Sequence, residues 1–252
     1  MRFRRHGMPE DGPALVAEHL AVWPLLDAGE QQHLLSDIDQ LLASKTWEAA
    51  RDFALDDTVR VVIAAQAALL VLGLNLEQYR GVSGIIVHPT TLHTRGERPG
   101  PSAGTVSADR LAVVGLAQSG RGPIVLAWDQ ALAGAHRSQP GENVVLHEFA
   151  HKLDMLDGVI DGTPVLDREL RDEWVRVCTE VYDDLVADVP RPPMRWYGAT
   201  NPGEFFAVAT EVFFEQPQEL RAFEPSLYDV LLRFYRQDPA AREVRSDHGG
   251  VR

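Results

Sequence analysis

The chain has 252 residues, 45% of them apolar, which suffices for a substantial core in one large domain or two small ones. Its formal net charge of −13 at pH 7 argues against a general nucleic-acid binder, whose affinity rests on neutralising phosphates with basic side chains; the small cluster Arg2, Arg4 and Arg5 reads as a solvated end. No apolar run reaches the length of a membrane span, and the polar stretch Met1 to Gly12 has none of the apolar character that secretion needs, so the expectation is a cytoplasmic protein without a membrane partner.

Periodicity predicts a helix from about Asp27 to Leu42, with Leu34, Leu35, Ile38, Leu41 and Leu42 on one side, and a shorter helix over Thr46 to Phe53. Asp56 and Asp57 then precede Val59 to Leu72, a helix apolar nearly all round, expected at the centre of the core and ended by Gly73. Between Val82 and Trp128 the period shortens and β-branched residues rise. Ile85 to Val87, Thr105 to Val106, Leu111 to Val114 and Ile124 to Trp128 are the expected strands, the last a candidate edge strand for pairing with an extended peptide or equally a core strand. Gly96 to Gly104 lacks the Lys-Ser or Lys-Thr ending of a phosphate loop and reads as a mobile rim. Asp154 to Asp167 carries acids and glycines without the ordered alternation of a calcium loop, and is expected to turn the chain away from the preceding helix. Amphipathic helices follow over Leu170 to Leu185 and Leu227 to Tyr235, with Pro190, Pro192 and Pro193 marking the connection to the Tyr197 region. Cys178 is the single cysteine, so an intrachain disulfide is excluded; flanked by Val175 and Val177, it reads as a packed thiol.

The chemistry concentrates in Leu146-His147-Glu148-Phe149-Ala150-His151-Lys152-Leu153-Asp154. Val144, Val145, Leu146, Phe149, Ala150 and Leu153 give a helix with a buried side, from which His147 and His151 project one turn apart toward a common point. That is the spacing of a zinc-dependent hydrolase, in which Glu148 would take a proton from the attacking water and return it to the leaving amine. Two imidazoles on a helix also arise as exposed residues or as core hydrogen-bond donors. A di-iron centre built on Glu148 and His151 would need a second Glu-x-x-His pair, which the chain lacks. The motif leaves a third ligand to be found. Asn201, Pro202 and Glu204 form a helix start, with Glu204 either closing a capping box or free to bind, and Glu211 lies seven residues on, on nearly the same face. Asp154, three residues after His151, is placed to receive the outer N–H of a ligand imidazole, or is an acid at a helix end.

Over nearly its whole length the sequence resembles the Mlc titration factor A family, through Ala64 to Leu70, Gly84 to Pro89, Pro123 to Trp128, His147 to Asp154 and Tyr197 to Phe214. The last two segments also resemble the catalytic domain of anthrax lethal factor. The resemblance implies a cytoplasmic zinc metallopeptidase, associated with aminopeptidase activity, that acts on peptides and also binds a Mlc-like glucose-responsive transcriptional repressor. It implies one Zn2+ per chain on His147, His151 and Glu204. Tyr197, seven residues before Glu204, would then donate its phenol to the developing oxyanion. Glu211 becomes a neighbour behind the ligands or a substrate-facing group; Glu211, Asp157 and Asp161 are also candidates for a substrate ammonium, or are solvated. The likeness to lethal factor fails at Val208, where that enzyme has a second carboxylate. The implied fold class is α+β: a zincin-like core over residues 81–252, its small mixed sheet packed on the active-site helix, and an N-terminal helical region over residues 1–80.

Overall fold

The computed structural model describes residues 7–50, 53–90 and 122–249. These residues form an α+β fold, mostly helical, around a three-stranded sheet. The first helix, α1 (Gly12–His19), leads to α2 (Ala28–Ser44), which starts where Asp27 and Glu30 close a reciprocal capping box. Strand β1 (Thr46–Ala49) follows, then α3 (Asp57–Val71), capped by the Asp56 side chain accepting from the Val59 amide. Strands β2 (Val82–His88) and β3 (Gly122–Ala127) complete the sheet, and α4 (Trp128–Ala135) continues directly from β3. The remaining helices are α5 (Val144–Asp154), α6 (Arg168–Val186), α7 (Pro202–Glu215), α8 (Pro217–Phe223), α9 (Pro225–Tyr235) and α10 (Pro239–Gly249). Each of the last four opens on proline, which needs no backbone partner in the first turn and carries the helical φ already.

Two expectations are corrected. Thr46 to Phe53 does not begin a helix: Thr46–Ala49 pairs in parallel with Gly84–Val87. The stretch is too short to hold a helix by itself, and the pairing buries Trp47 to 3% exposure. Gly84 permits that approach, since a Cβ there would lie 2.6 Å from the Thr46 carbonyl oxygen. Trp128 belongs to the helix after β3 and not to the strand. Among the described residues both pairings are parallel, in the order β1-β2-β3, and the β1–β2 crossover is the segment containing α3. The expected strands Thr105–Val106 and Leu111–Val114, the Gly96–Gly104 rim and Arg2, Arg4 and Arg5 lie outside the described residues.

From Val59 onward α3 is buried except at Arg60, and it packs on α1, α2, α4 and α5. Its buried Gln66 donates to the carbonyls of Val62 and Ala131, and so ties α3 to α4. Where α3 ends, a Cβ on Gly73 would lie 2.3 Å from the Tyr235 carbonyl oxygen, so glycine lets the end of α9 close over it. Gln237 then donates to the carbonyls of Leu69 and Leu70, satisfying groups that the helix end leaves open. Leu170, Trp174, Val177, Val181 and Leu185 form the buried stripe of α6. Cys178 is partly buried against this core, and burial pushes its thiol up to about 12. Among the described residues no helix is long and apolar enough to cross a membrane.

Candidate metal centre

Asn143 starts α5 by accepting from the amides of Val145 and Leu146, each at 3.1 Å. Val144, Val145, Leu146, Phe149, Ala150 and Leu153 are buried, which fixes the rotation of the helix and turns His147 and His151 toward α7. Asn201 caps α7 by accepting from the Glu204 amide at 3.0 Å, so Glu204 lies in the first turn. Its carboxylate reaches across to the imidazoles, in line with the free-carboxylate alternative for this residue.

The three side chains converge. His147 Nε2 is 3.2 Å from His151 Nε2 and 3.1 Å from Glu204 Oε2, and His151 Nε2 is 3.5 Å from the same oxygen. Ligands at about 2.0–2.1 Å from a tetrahedral zinc are separated from one another by about 3.3 Å, so the triangle has the dimensions of one face of a zinc tetrahedron. The residues therefore fit the ion. They are also the group of histidine and acidic side chains, among the described residues, whose donor atoms are close enough to share one cation.

Electrostatics point the same way. Burial lowers the proton affinity of His147, but Glu211 and Glu204 on its two ring nitrogens raise its pKa to about 10. Burial pushes Glu204 up, yet hydrogen bonds to His147 and His151 hold it well below the usual carboxylate range. Carboxylates thus draw positive charge onto this point. Glu148 is raised above its ordinary value by burial, against the pull of His147 and His151.

Glu211 is wholly buried behind His147, with Nδ1 of the imidazole donating to its Oε1 at 2.7 Å. That bond leaves Nε2 as the ligating atom. Oε1 also accepts from Arg195 Nη2 at 2.6 Å, and Oε2 accepts from the Asn143 amide at 2.5 Å. Glu211 therefore faces protein on every side, and not a substrate. Asp154 is placed differently from the expectation. Its Oδ2 accepts from the Gly162 amide at 3.0 Å, while its buried Oδ1 and the buried Nδ1 of His151 have no hydrogen-bond partner. At the last residue of α5 its carboxylate serves the following loop, and burial lifts it to about 6. Asp157 and Asp161 accept from the amides of Val159 and Thr163, shaping turns in that loop.

Tyr197 lies in the 3₁₀ turn Trp196–Ala199, its ring centroid 6.2 Å from that of His147. Val208 is fully buried one turn after Glu204, where Gly198 packs against it, so that position supports the turn and not the ligands. Two residues of the site escaped the sequence reading. Asn143 carries a legible signal, an Asn directly before an apolar helical run. Arg195 has none beyond its place two residues before Tyr197.

A helical α+β fold with two imidazoles and a carboxylate closing on one point defines a protein with a candidate divalent-metal site. The chain belongs to the family of glucose-regulated metallo-peptidases M90, whose model matches residues 1–236. It is 35% identical over 236 residues to an uncharacterized protein of Synechocystis, covering 92% of this chain and 86% of that protein. It is 32% identical over 254 residues to Mlc titration factor A of Yersinia pestis and, equally, of Yersinia pseudotuberculosis, covering 91% of this chain and 89% of each relative.

Proposed function

We propose that this chain is a zinc-dependent peptidase with a zincin-like core, in which His147, His151 and Glu204 hold the metal, Glu148 is the general base and Tyr197 the oxyanion donor. The observation that carries the reading is the triangle of donor atoms at 3.1–3.5 Å spacing. Zinc, when bound, supplies Lewis acidity to an attacking water and to the scissile carbonyl. Glu148, beside the first imidazole, accepts the proton of the attacking water and passes it to the departing nitrogen. The Tyr197 phenol donates to the oxygen on which negative charge develops. Glu211 holds His147 in the tautomer that ligates. Strand β3, at the end of the described sheet and packed on α5, is where an extended peptide would pair. Family resemblance favours an aminopeptidase-like action in the cytoplasm; the likeness to lethal factor rests on the two motif segments alone.

The test is metal analysis together with a cleavage profile on a mixed peptide library. Wild type should bind one zinc per chain. Glu148→Gln should keep the metal and lose at least about 100-fold in turnover, and His151→Ala should lose both. Equal turnover in wild type and Glu148→Gln, with metal present, would overturn the assignment of the base. Ends trimmed one residue at a time would mark an exopeptidase; internal cuts would reject that label.

A second reading is favoured by the name of the Yersinia relatives: stoichiometric binding of a Mlc-like repressor, with the zinc site structural. Under it, Glu148→Gln binds such a repressor as wild type does and neither protein cuts peptides.

A further inference from the structure

We infer that Arg195 is a positioning residue, and that its pair with Glu211 sets Tyr197 in place over the metal ligands. The inference rests on the peptidase reading for its consequence in catalysis, but its structural content stands apart from that reading. The turn around Tyr197 is a small bonded unit: the Gly198 amide donates to the Arg195 carbonyl at 3.0 Å, and the Thr200 amide and hydroxyl both donate to the Tyr197 carbonyl, at 3.1 and 2.8 Å. Arg195 is the cation of this unit, and its guanidinium spans two carboxylates. Nη2 donates to Glu211 Oε1 at 2.6 Å, and Nη1 lies 3.6 Å from Glu142 Oε1. The two acids belong to different parts of the scaffold, Glu211 to the middle of α7 and Glu142 to the residue before the α5 cap.

Glu211 is the hub because its donors come from three segments that build the site. One is Asn143 at the start of α5, one is the imidazole of His147, and one is Arg195. Wholly buried and held by its two bonds to α5, this carboxylate is a fixed anchor against which Arg195 is set. Arginine fits the task better than lysine, because its planar fork reaches two acceptors at fixed separation. The guanidinium is engaged with the carboxylates of Glu211 and Glu142. It acts through the two-residue link to Tyr197, whose phenol must meet an oxyanion within a few tenths of an ångström to be useful.

The experiment compares Arg195→Ala and Arg195→Gln with wild type, each alone and combined with Tyr197→Phe. Hydrogen exchange on the zinc-loaded protein should quicken roughly tenfold in residues 196–200, while residues 144–154 and 202–215 keep their protection. For peptide hydrolysis, kcat should fall about tenfold in the Tyr197 background with KM within about twofold, and Arg195→Ala should add almost nothing once Tyr197 is phenylalanine. Arg195→Gln is shorter and uncharged, so it loses the charged bond to Glu211 and the reach to Glu142, and it is read in the same way should the alanine variant not fold. Unchanged exchange at 196–200, acceleration shared equally by α5 and α7, or an equal kinetic loss with and without the Tyr197 hydroxyl would each overturn the inference. If wild type cuts no peptide, the peptidase reading falls and the exchange pattern alone decides this one.

Discussion

Glu215 makes the stability of the helix that carries Glu204 depend on pH in a direction opposite to that of a carboxylate held by an ion pair. It is the last residue of α7, with its side chain 4% exposed. Oε1 accepts from the Asn143 side-chain amide at 3.0 Å, which aims the amide oxygen at the first turn of α5. Oε2 lies 3.6 Å from Arg137 Nε, is buried and has no hydrogen-bond partner. Burial is the main cause that lifts this carboxyl from 4.5 to about 7; Arg137 and Asn143 pull it down, and Glu211 and Glu243 push it up. Because the folded value is the higher one, the folded chain holds the proton more tightly than the unfolded chain. The associated stability is fully present below about pH 4.5, is lost as pH rises toward 7, and changes no further above that. A shift of this size corresponds to about 3 kcal/mol as an order of magnitude.

Glu215→Gln removes the titration and keeps an acceptor for Asn143. Urea unfolding of both proteins at pH 4.5, 6, 7.5 and 8.5, at fixed zinc, isolates the effect. The variant should gain on wild type by about 3 kcal/mol across that range, with most of the gain before pH 7.5. The difference between pH values is diagnostic, whereas the offset at any one pH also contains the altered contact with Arg137. Stability curves that stay parallel to within about 0.5 kcal/mol would refute the argument, and would mean that Arg137 compensates the charge in full.

Three further outcomes follow from the site. Gly162 has φ of +75°, and a Cβ there would lie 2.3 Å from the Pro202 carbonyl oxygen; Gly162→Ala should cost about 2 kcal/mol or more and, by moving the start of α7, weaken zinc binding, read by chelator competition. Zinc affinity unchanged in that variant would show that the loop does not brace Glu204. Asn201→Ala removes the acceptor for the Glu204 amide and should lower unfolding free energy by about 1 kcal/mol in urea titration. Chelation should lower the Tm of wild type, with zinc at about 100 times its Kd restoring about 2.7 kcal/mol, and should leave the Tm of His151→Ala where it was.

Local grammar made much of the scaffold legible. Asp27, Asp56, and Asn201 with Pro202 mark helix starts, and the structure begins helices at those places, because a cap is a contact between residues two or three apart. Strand β1 was not legible: Thr46–Ala49 is four residues long and owes its conformation to Gly84–Val87, nearly forty residues away. The convergence of His147, His151 and Glu204 was legible in part, since the i, i+4 pair follows from helix geometry, whereas Glu204 was singled out from Glu211 through family resemblance. Asp154 shows the limit of such spacing arguments. Three residues after His151 it shares a helix face, yet Gly162 takes one of its oxygens. The imidazole contact expected of it is made instead by Glu211, on another helix, and to His147.

The charges around the centre give an independent reason for a divalent ion. Glu142, Glu148, Glu204 and Glu211 are four carboxylates around the centre, against two cations: Arg195, which is bonded to Glu211 and lies near Glu142, and Lys152, which interacts with Glu148. With both imidazoles neutral, as ligation requires, two negative charges remain uncompensated in a region where Glu211 and His147 have no exposed surface. Buried charge of that size is sustained only when paired, so the cluster must take up protons or a cation. Protons go first to His147 and occupy the nitrogen that would ligate, whereas a dication at the 3.1–3.5 Å triangle neutralises the cluster and leaves that nitrogen free to bind.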